Sequence, residues 1–174
     1  MMVASMPLGP LPRYLVTGAD PGRLEEAGAV PAGALAVDAV RIEAGEPIAG
    51  RDVDDATIPQ EAGLVAESVS FTKGCYLGQE LVARIDSRGR VNRHLRGIVV
   101  GDAVIPPIGA VLRMDGGEVG TLTSVAESLT VRAPIGLALV RREVEPGTAV
   151  EVAWPGGAAR AEVRELPLDD FSET

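Results

Sequence analysis

The chain has 174 residues, a net charge of −9 and 46% hydrophobic but only 3% aromatic residues; this length suits one domain or two small ones burying about 70% of the unfolded surface. The acidic balance argues against a nucleic-acid partner, since duplex binding needs clustered Lys and Arg and single-strand binding needs aromatic platforms. No apolar stretch approaches the ~20 residues of a membrane span, and the lone cysteine excludes an internal disulfide, so the expected setting is reducing and cytoplasmic.

Residues 1–12 are rich in Met, Pro and Gly and read as a frayed, disordered leader without the basic and apolar regions of a secretory signal. Arg13 to Thr17 alternates as a short strand stopped by Gly18-Ala19-Asp20-Pro21-Gly22. Pro31 to Gly45 predicts a helix with Leu35, Val37, Val40, Ile42 and Ala44 as its apolar positions, and Gly45 and Pro47 as stops. Thr57-Ile58-Pro59-Gln60-Glu61-Ala62-Gly63 predicts a single turn capped by Thr57. Gly78 to Arg88 predicts a further helix. Leu81 and Ile85 form its buried stripe, Glu80, Arg84 and Arg88 an ion-pairing row, and Gly89 its stop.

From Arg93 the apolar period becomes two. Six segments read as strands, over 95–100, 110–113, 118–125, 135–140, 149–154 and 158–163, separated by Pro106-Pro107, Asp115-Gly116-Gly117, Pro146-Gly147 and Pro155-Gly156-Gly157. They predict a small antiparallel barrel or sandwich, with a domain boundary near residue 93.

The chemistry-bearing run is Lys73-Gly74-Cys75-Tyr76-Leu77-Gly78-Gln79-Glu80. It holds the only lysine and the only cysteine of the chain, two residues apart. A cation that close favours thiolate over thiol, and a following helix N-terminus adds to it. The other reading is a small buried cysteine acting as a hydrophobe beside a solvated lysine. Metal binding by the chain alone is not expected, because one Cys and one His fall short of a zinc or iron–sulfur ligand set. His94 reads as an ordinary polar residue at a strand start rather than a catalytic partner of Cys75. Arg84, Arg88, Arg90, Arg93 and Arg96 form a basic stretch that reads either as a receptor for an anionic ligand or as a solvated face of ion pairs.

Three motifs in order, Arg41-Ile42-Glu43-Ala44-Gly45-Glu46-Pro47, Thr57-Ile58-Pro59-Gln60-Glu61-Ala62-Gly63-Leu64 and Lys73-Gly74-Cys75-Tyr76-Leu77-Gly78-Gln79-Glu80, resemble the folate-binding YgfZ-type proteins, relatives of the glycine-cleavage T protein (aminomethyltransferase). The third motif, with its cysteine, resembles the iron–sulfur cluster assembly and repair branch. The resemblance implies an α+β chain: part of the aminomethyltransferase folate-binding domain over 13–92, then a small antiparallel Greek-key β-barrel over 93–174. It implies tetrahydrofolate as cofactor, with Arg41, Tyr76, Gln79 and Glu80 on the cofactor side. It makes Cys75 and Lys73 the working pair and iron–sulfur client proteins or assembly machinery the partners. It also implies that the chain corresponds to the second half of longer proteins, with an N-terminal half that is separately encoded or lost. The functions it allows are an iron–sulfur accessory factor, a one-carbon enzyme of the aminomethyltransferase kind, or a non-catalytic folate-superfamily binding module.

Overall fold

The computed structural model describes residues 1–8, 11–75, 78–80 and 91–168. Asp115-Gly116 and Pro155-Gly156 place the two tight turns of the barrel. The first joins β4 (Val111–Met114) to β5 (Gly117–Ser128), and the second joins β7 (Ala149–Trp154) to β8 (Gly157–Arg164). At Asp115 and Gly116 φ is 51° and 80°, the double left-handed geometry of a two-residue hairpin, which Asp-Gly adopts readily. With β3 (Arg93–Val100) and β6 (Ala133–Arg141), these strands close a barrel in the order β3-β6-β5-β4-β7-β8. Every pairing is antiparallel, including β8 back onto β3. The β4-β5-β6 meander lies with β3 against β6, so the topology is the expected Greek key.

Inward alternation supplies the barrel core, where Ile98, Leu112, Leu122, Val140, Val152 and Val163 are all at most 1% exposed. A second apolar cluster covers the outside of β3 and β6. There Leu95, Ile135 and Leu137 meet Ile42 of helix α2 (Ala34–Ala44), with Leu166 and Leu168 of the C-terminal tail against them. β3 and β6 are therefore covered on both faces. Gly97 makes the tail's approach possible, because a Cβ there would run into Leu168 and Leu166, and at Gly45 a Cβ would meet Leu166 at 2.8 Å. The Leu168 amide donates to the Glu43 carbonyl at 2.6 Å, which ties the tail to α2.

The remaining elements precede the barrel. β1 (Met2–Ser5) pairs antiparallel with β2 (Tyr14–Thr17), so four residues assigned from composition to a frayed leader are a strand. α1 (Pro21–Glu26) is capped by Asp20, whose carboxylate accepts from the Gly22 amide at 3.1 Å. α2 begins three residues later than Pro31 and ends, as read, at a left-handed Gly45. α3 (Pro59–Ala62) and α4 (Val65–Ser68) are single turns. The N-cap of α3 is Ile58 rather than Thr57. The Thr57 hydroxyl instead donates to Asp54 Oδ1 at 2.8 Å and accepts from the Asp54 amide at 3.1 Å, closing the preceding loop on itself. The helix expected over 78–88, with Arg84 and Arg88, lies largely outside the described residues.

α2 differs most from its reading. Its buried residues are Arg41, Ile42 and Glu43, whereas Leu35 and Val37 are 84% and 60% exposed. Burial follows position along the helix: residues 34–37 at its N-terminal end are all exposed, and Arg41, Ile42 and Glu43 near its C-terminal end are buried against the barrel.

The two-sided packing of β3 sets the expected cost of disturbing it. Gly97→Val should lose about 1–3 kcal/mol by overpacking against the tail, and Ile42→Ala about 2–5 kcal/mol through its cavity. Urea unfolding of each variant measures both, and wild-type midpoints would remove the tail and α2 from the stable core.

Candidate functional site

A β-bulge creates the polar centre between α2 and the barrel. The β5–β6 register shifts between Leu122 and Ser124, so Thr123 is an extra residue. Strict alternation would send Thr123 and Ser124 to opposite faces; the bulge turns both hydroxyls outward. Each donates to Asp52 Oδ1 at 2.6 Å. Oδ2 of the same carboxylate accepts from the Ile48 amide at 2.9 Å and from Arg41 Nη1 at 3.0 Å. Asp52 is 2% exposed, and these four donors compensate a buried charge.

Arg41 completes the network from α2. Its Nε donates to Asp38 Oδ1 at 2.7 Å, Nη1 also to the Glu46 carbonyl at 3.1 Å, and Nη2 to Ser124 Oγ at 2.6 Å. Burial raises the Asp38 carboxyl, but the Arg41 hydrogen bond and the charges of Arg41 and Arg51 outweigh it and hold the group below its usual range. Two residues along α2, buried Glu43 accepts from Ser128 Oγ at 2.5 Å, and that oxygen accepts from the Val131 amide at 2.9 Å. Arg41 and Glu43 are thus two staples from α2 onto β5. The resemblance places Arg41 on the folate; in the structure its guanidinium faces inward and anchors the helix.

Two recesses flank this network. A cleft of about 430 Å³ lies between the 50–57 loop and strands β3, β5 and β6. It is bordered by Arg51, Arg93 and Arg141, with Asp54 and Glu118 opposing them. Arg93 and Arg141 sit directly opposite each other across the β3–β6 ladder, and Arg93 also pairs with buried Glu61 at 3.2 Å. Arg96, the other described member of the basic stretch, pairs with Glu165 at 2.8 Å. A second recess of about 450 Å³ runs beside α2. It is mainly apolar, with Leu11, Ala36, Val37, Val40, Pro47 and Ile48 among its walls. The Arg13–Glu46 pair at its edge is bidentate, at 2.6 and 2.8 Å.

The residues of the Lys73–Glu80 run lie elsewhere. Lys73 and Cys75 are both exposed, Gln79 is half-buried and Glu80 exposed; Tyr76 lies outside the described residues. The Lys73 amide donates to Ser70 Oγ at 3.2 Å. Cys75 is exposed, so its thiol is not a core hydrophobe. The helix terminus expected to act on it falls on undescribed residues. Buried Arg41 and exposed Cys75 do not form one cluster. His94, on β3, is half-buried and joined by no hydrogen bond to Cys75 among the described residues. Sequence reasoning missed Asp52, Thr123, Ser124 and Ser128. Asp52 sits in an acidic loop that reads as solvated, and its two hydroxyl partners are over 70 residues away.

Residues 93–170 match the family described as the glycine cleavage T-protein C-terminal barrel domain. Over these residues the chain is similar to that barrel domain. An aminomethyltransferase of Moorella thermoacetica is 38% identical over 144 residues, 82% of this chain and 39% of that protein. An aminomethyltransferase of Halothermothrix orenii is 32% identical over 142 residues, 81% of this chain and 39% of that one. The crystal structure of glycine cleavage system aminomethyltransferase T from Bartonella henselae superposes with a TM-score of 0.67 at 24% identity, over 76% of this chain and 37% of that one; this likeness speaks for the fold. The chain spans about two fifths of the length of the curated relatives it matches. Among the described residues, no helix is long and apolar enough to cross a membrane.

Two measurements follow from this geometry. Arg41→Ala strands the Asp52 carboxylate and should cost about 3–5 kcal/mol in urea unfolding; Arg41→Lys should not restore it, since an ammonium cannot span Asp38, Asp52 and Ser124 at once. Burial, then the Arg96 charge, push the His94 imidazole below its ordinary value. The unfolded chain then binds the proton more readily, so His94 favours the fold above about pH 6.5 and opposes it as pH falls through that value. His94→Asn should flatten the decline in Tm between about pH 7.5 and pH 5.5, and an unchanged slope would assign that decline to other groups.

Proposed function

We propose that this chain is a folate-linked accessory factor for iron–sulfur proteins in the cytoplasm, of the YgfZ type, with Cys75 as its working thiolate. The observation that carries the reading is the exposure of the chain's one thiol, two residues from its one lysine, in the Lys73–Glu80 run. An exposed, soft sulfur ligand beside a cation suits transfer or protection of a sulfur- or iron-bound species. The likeness to the T-protein barrel and to aminomethyltransferases supports the folate link.

Tetrahydrofolate does not fit the described residues by themselves. A pterin needs an apolar or aromatic wall together with polar groups free to read its edge. The wall lies in the groove beside α2, but the polar groups bordering it are paired: Arg13 with Glu46, and Arg41 with Asp38, Asp52 and Ser124. The polar cleft has mixed charge and no aromatic lining. Folate binding therefore depends on the remainder of the superfamily fold. In this reading Arg41 is a positioning residue that holds α2 and its groove in place.

Calorimetric titration of the chain alone with tetrahydrofolate should show weak binding or none, and tight binding would place a complete pocket within it. Iodoacetamide should alkylate Cys75 in the native state, and Lys73→Ala should slow the reaction several-fold near neutral pH. In cells, loss of the gene should lower the activity of several iron–sulfur enzymes while glycine cleavage continues, and Cys75→Ser should imitate the loss. Full rescue by Cys75→Ser would overturn the thiolate. A second reading, a one-carbon enzyme of the aminomethyltransferase kind, is supported by the names of the curated relatives; selective loss of glycine cleavage would decide for it.

A further inference from the structure

The cleft between the 50–57 loop and the barrel is ringed by charges that do not close on one another. Arg51 and Asp54 border it from the loop, Arg93 and Arg141 from β3 and β6, and Glu118 from β5. Among the described residues, each of these arginines pairs with a carboxylate that is not part of the cleft wall. Arg51 meets Asp38 at 3.4 Å, Arg93 meets Glu61 at 3.2 Å, and Arg141 meets Glu143 at 3.9 Å. Neither Asp54 nor Glu118 joins an ion pair among the described residues, so the opposite charges of the rim stand apart across the cleft.

The backbone fixes two of these groups. Arg93 and Arg141 are directly opposite each other on the β3–β6 ladder, two residues from the Leu95–Leu139 pair, so both leave the outer face of the barrel. Like charges in such a position repel. Glu61 answers Arg93 through Nε and Nη2, but the Arg141 contact with Glu143 is too long for a hydrogen bond. An anionic group between the two guanidinium groups relieves that repulsion. The carboxylates of the rim pose the reverse demand. Asp54 is held on the loop by the Thr57 hydroxyl at 2.8 Å and the Ala56 amide at 3.0 Å, and Glu118 is exposed near the start of β5. A dianion would meet two carboxylates and a simple cation three guanidinium groups. A molecule that carries both signs is complementary to the whole rim. The volume of about 430 Å³ suits a small ligand, and Val53 and Leu139 add an apolar stretch of wall.

We propose that this cleft binds a free α-amino acid. Its carboxylate lies between Arg93 and Arg141, its ammonium faces Asp54 and Glu118, and an aliphatic side chain rests on Val53 and Leu139. The site goes beyond the accessory-factor reading and uses neither Cys75 nor folate.

Calorimetric titration of the full chain with L-leucine and L-valine tests the site. Both should bind with a Kd of about a millimolar or tighter. N-acetyl-L-leucine lacks the ammonium and L-leucinamide the carboxylate, and each should bind at least about tenfold more weakly than leucine. Arg141→Gln and Glu118→Gln should each weaken leucine by a similar factor. Arg132→Gln, at the wall of a different recess, should not. All three side chains are exposed, so thermal melts should show the variants folded. A second measurement needs no variant: in the isotope-labelled chain, leucine should shift the amide resonances of Val53, Asp54, Thr121 and Thr123. No binding of either amino acid overturns the proposal. So does N-acetyl-L-leucine or L-leucinamide binding as tightly as leucine, which would leave a site for one sign of charge only. Leucine affinity unchanged in both rim variants, or resonance shifts confined to residues away from the cleft, overturns it as well.

Discussion

Arg41 and Asp52 are eleven residues apart in the chain and pair directly at 3.0 Å, while two hydroxyls that enter more than 70 residues later satisfy the other carboxylate oxygen. That second half of the network depends on one extra residue in β5. Without the bulge at Thr123, one of the two hydroxyls would point into the barrel, and the Asp52 carboxylate would lose a donor it needs while buried. The surrounding arrangement follows from that constraint. The 46–52 loop folds back to bring Asp52 beneath α2, and the C-terminal part of the helix sets Arg41, Ile42 and Glu43 against the barrel while its N-terminal part, with Leu35 and Val37, stays exposed.

A buried ion pair of this kind contributes orientation more than net stability, because desolvation offsets much of the attraction. Apolar side chains of equal volume would hold α2 against β5 as firmly, but with more freedom to rotate. Fixing Arg41 by Asp38, Glu46, Asp52 and Ser124 removes that freedom. The surface pairs do far less: Arg13–Glu46 is more than a third exposed on both sides, and Arg51–Asp38 spans 3.4 Å. The position of α2 therefore rests on its buried polar face and on Ile42, with the Leu166–Leu168 tail closing over Gly45 and Gly97.

The barrel was legible because strands of period two with Gly- and Pro-containing turns are local signals. Asp115-Gly116 and Pro155-Gly156 each mark their hairpin within a few residues. Pro31–Gly45 was legible as a helix for the same reason, since Gly45 stops it in the left-handed region. Its orientation was not. Hydropathy alone assigns Leu35 and Val37 to a core and Arg41 to solvent, but the barrel covers only the C-terminal part of the helix, where Asp52 and the Ser124 hydroxyl hold Arg41. The Thr57 cap failed on a similar point: Asp54 competes for the same hydroxyl and wins by closing the loop.

Of the candidate site, the sequence by itself determined the identity and spacing of the reactive groups, because Lys73 and Cys75 are two residues apart in any conformation. It also determined the strand count of the barrel, through periodicity that neighbouring residues carry. The tertiary structure alone decided that Cys75 is exposed, that Arg41 is an anchor and that Asp52 is the buried centre it anchors to. The physical reason is range. Periodicity and turn chemistry act over a few residues, whereas the partners of a buried charge are set by which strands and loops the closed barrel brings within hydrogen-bond distance.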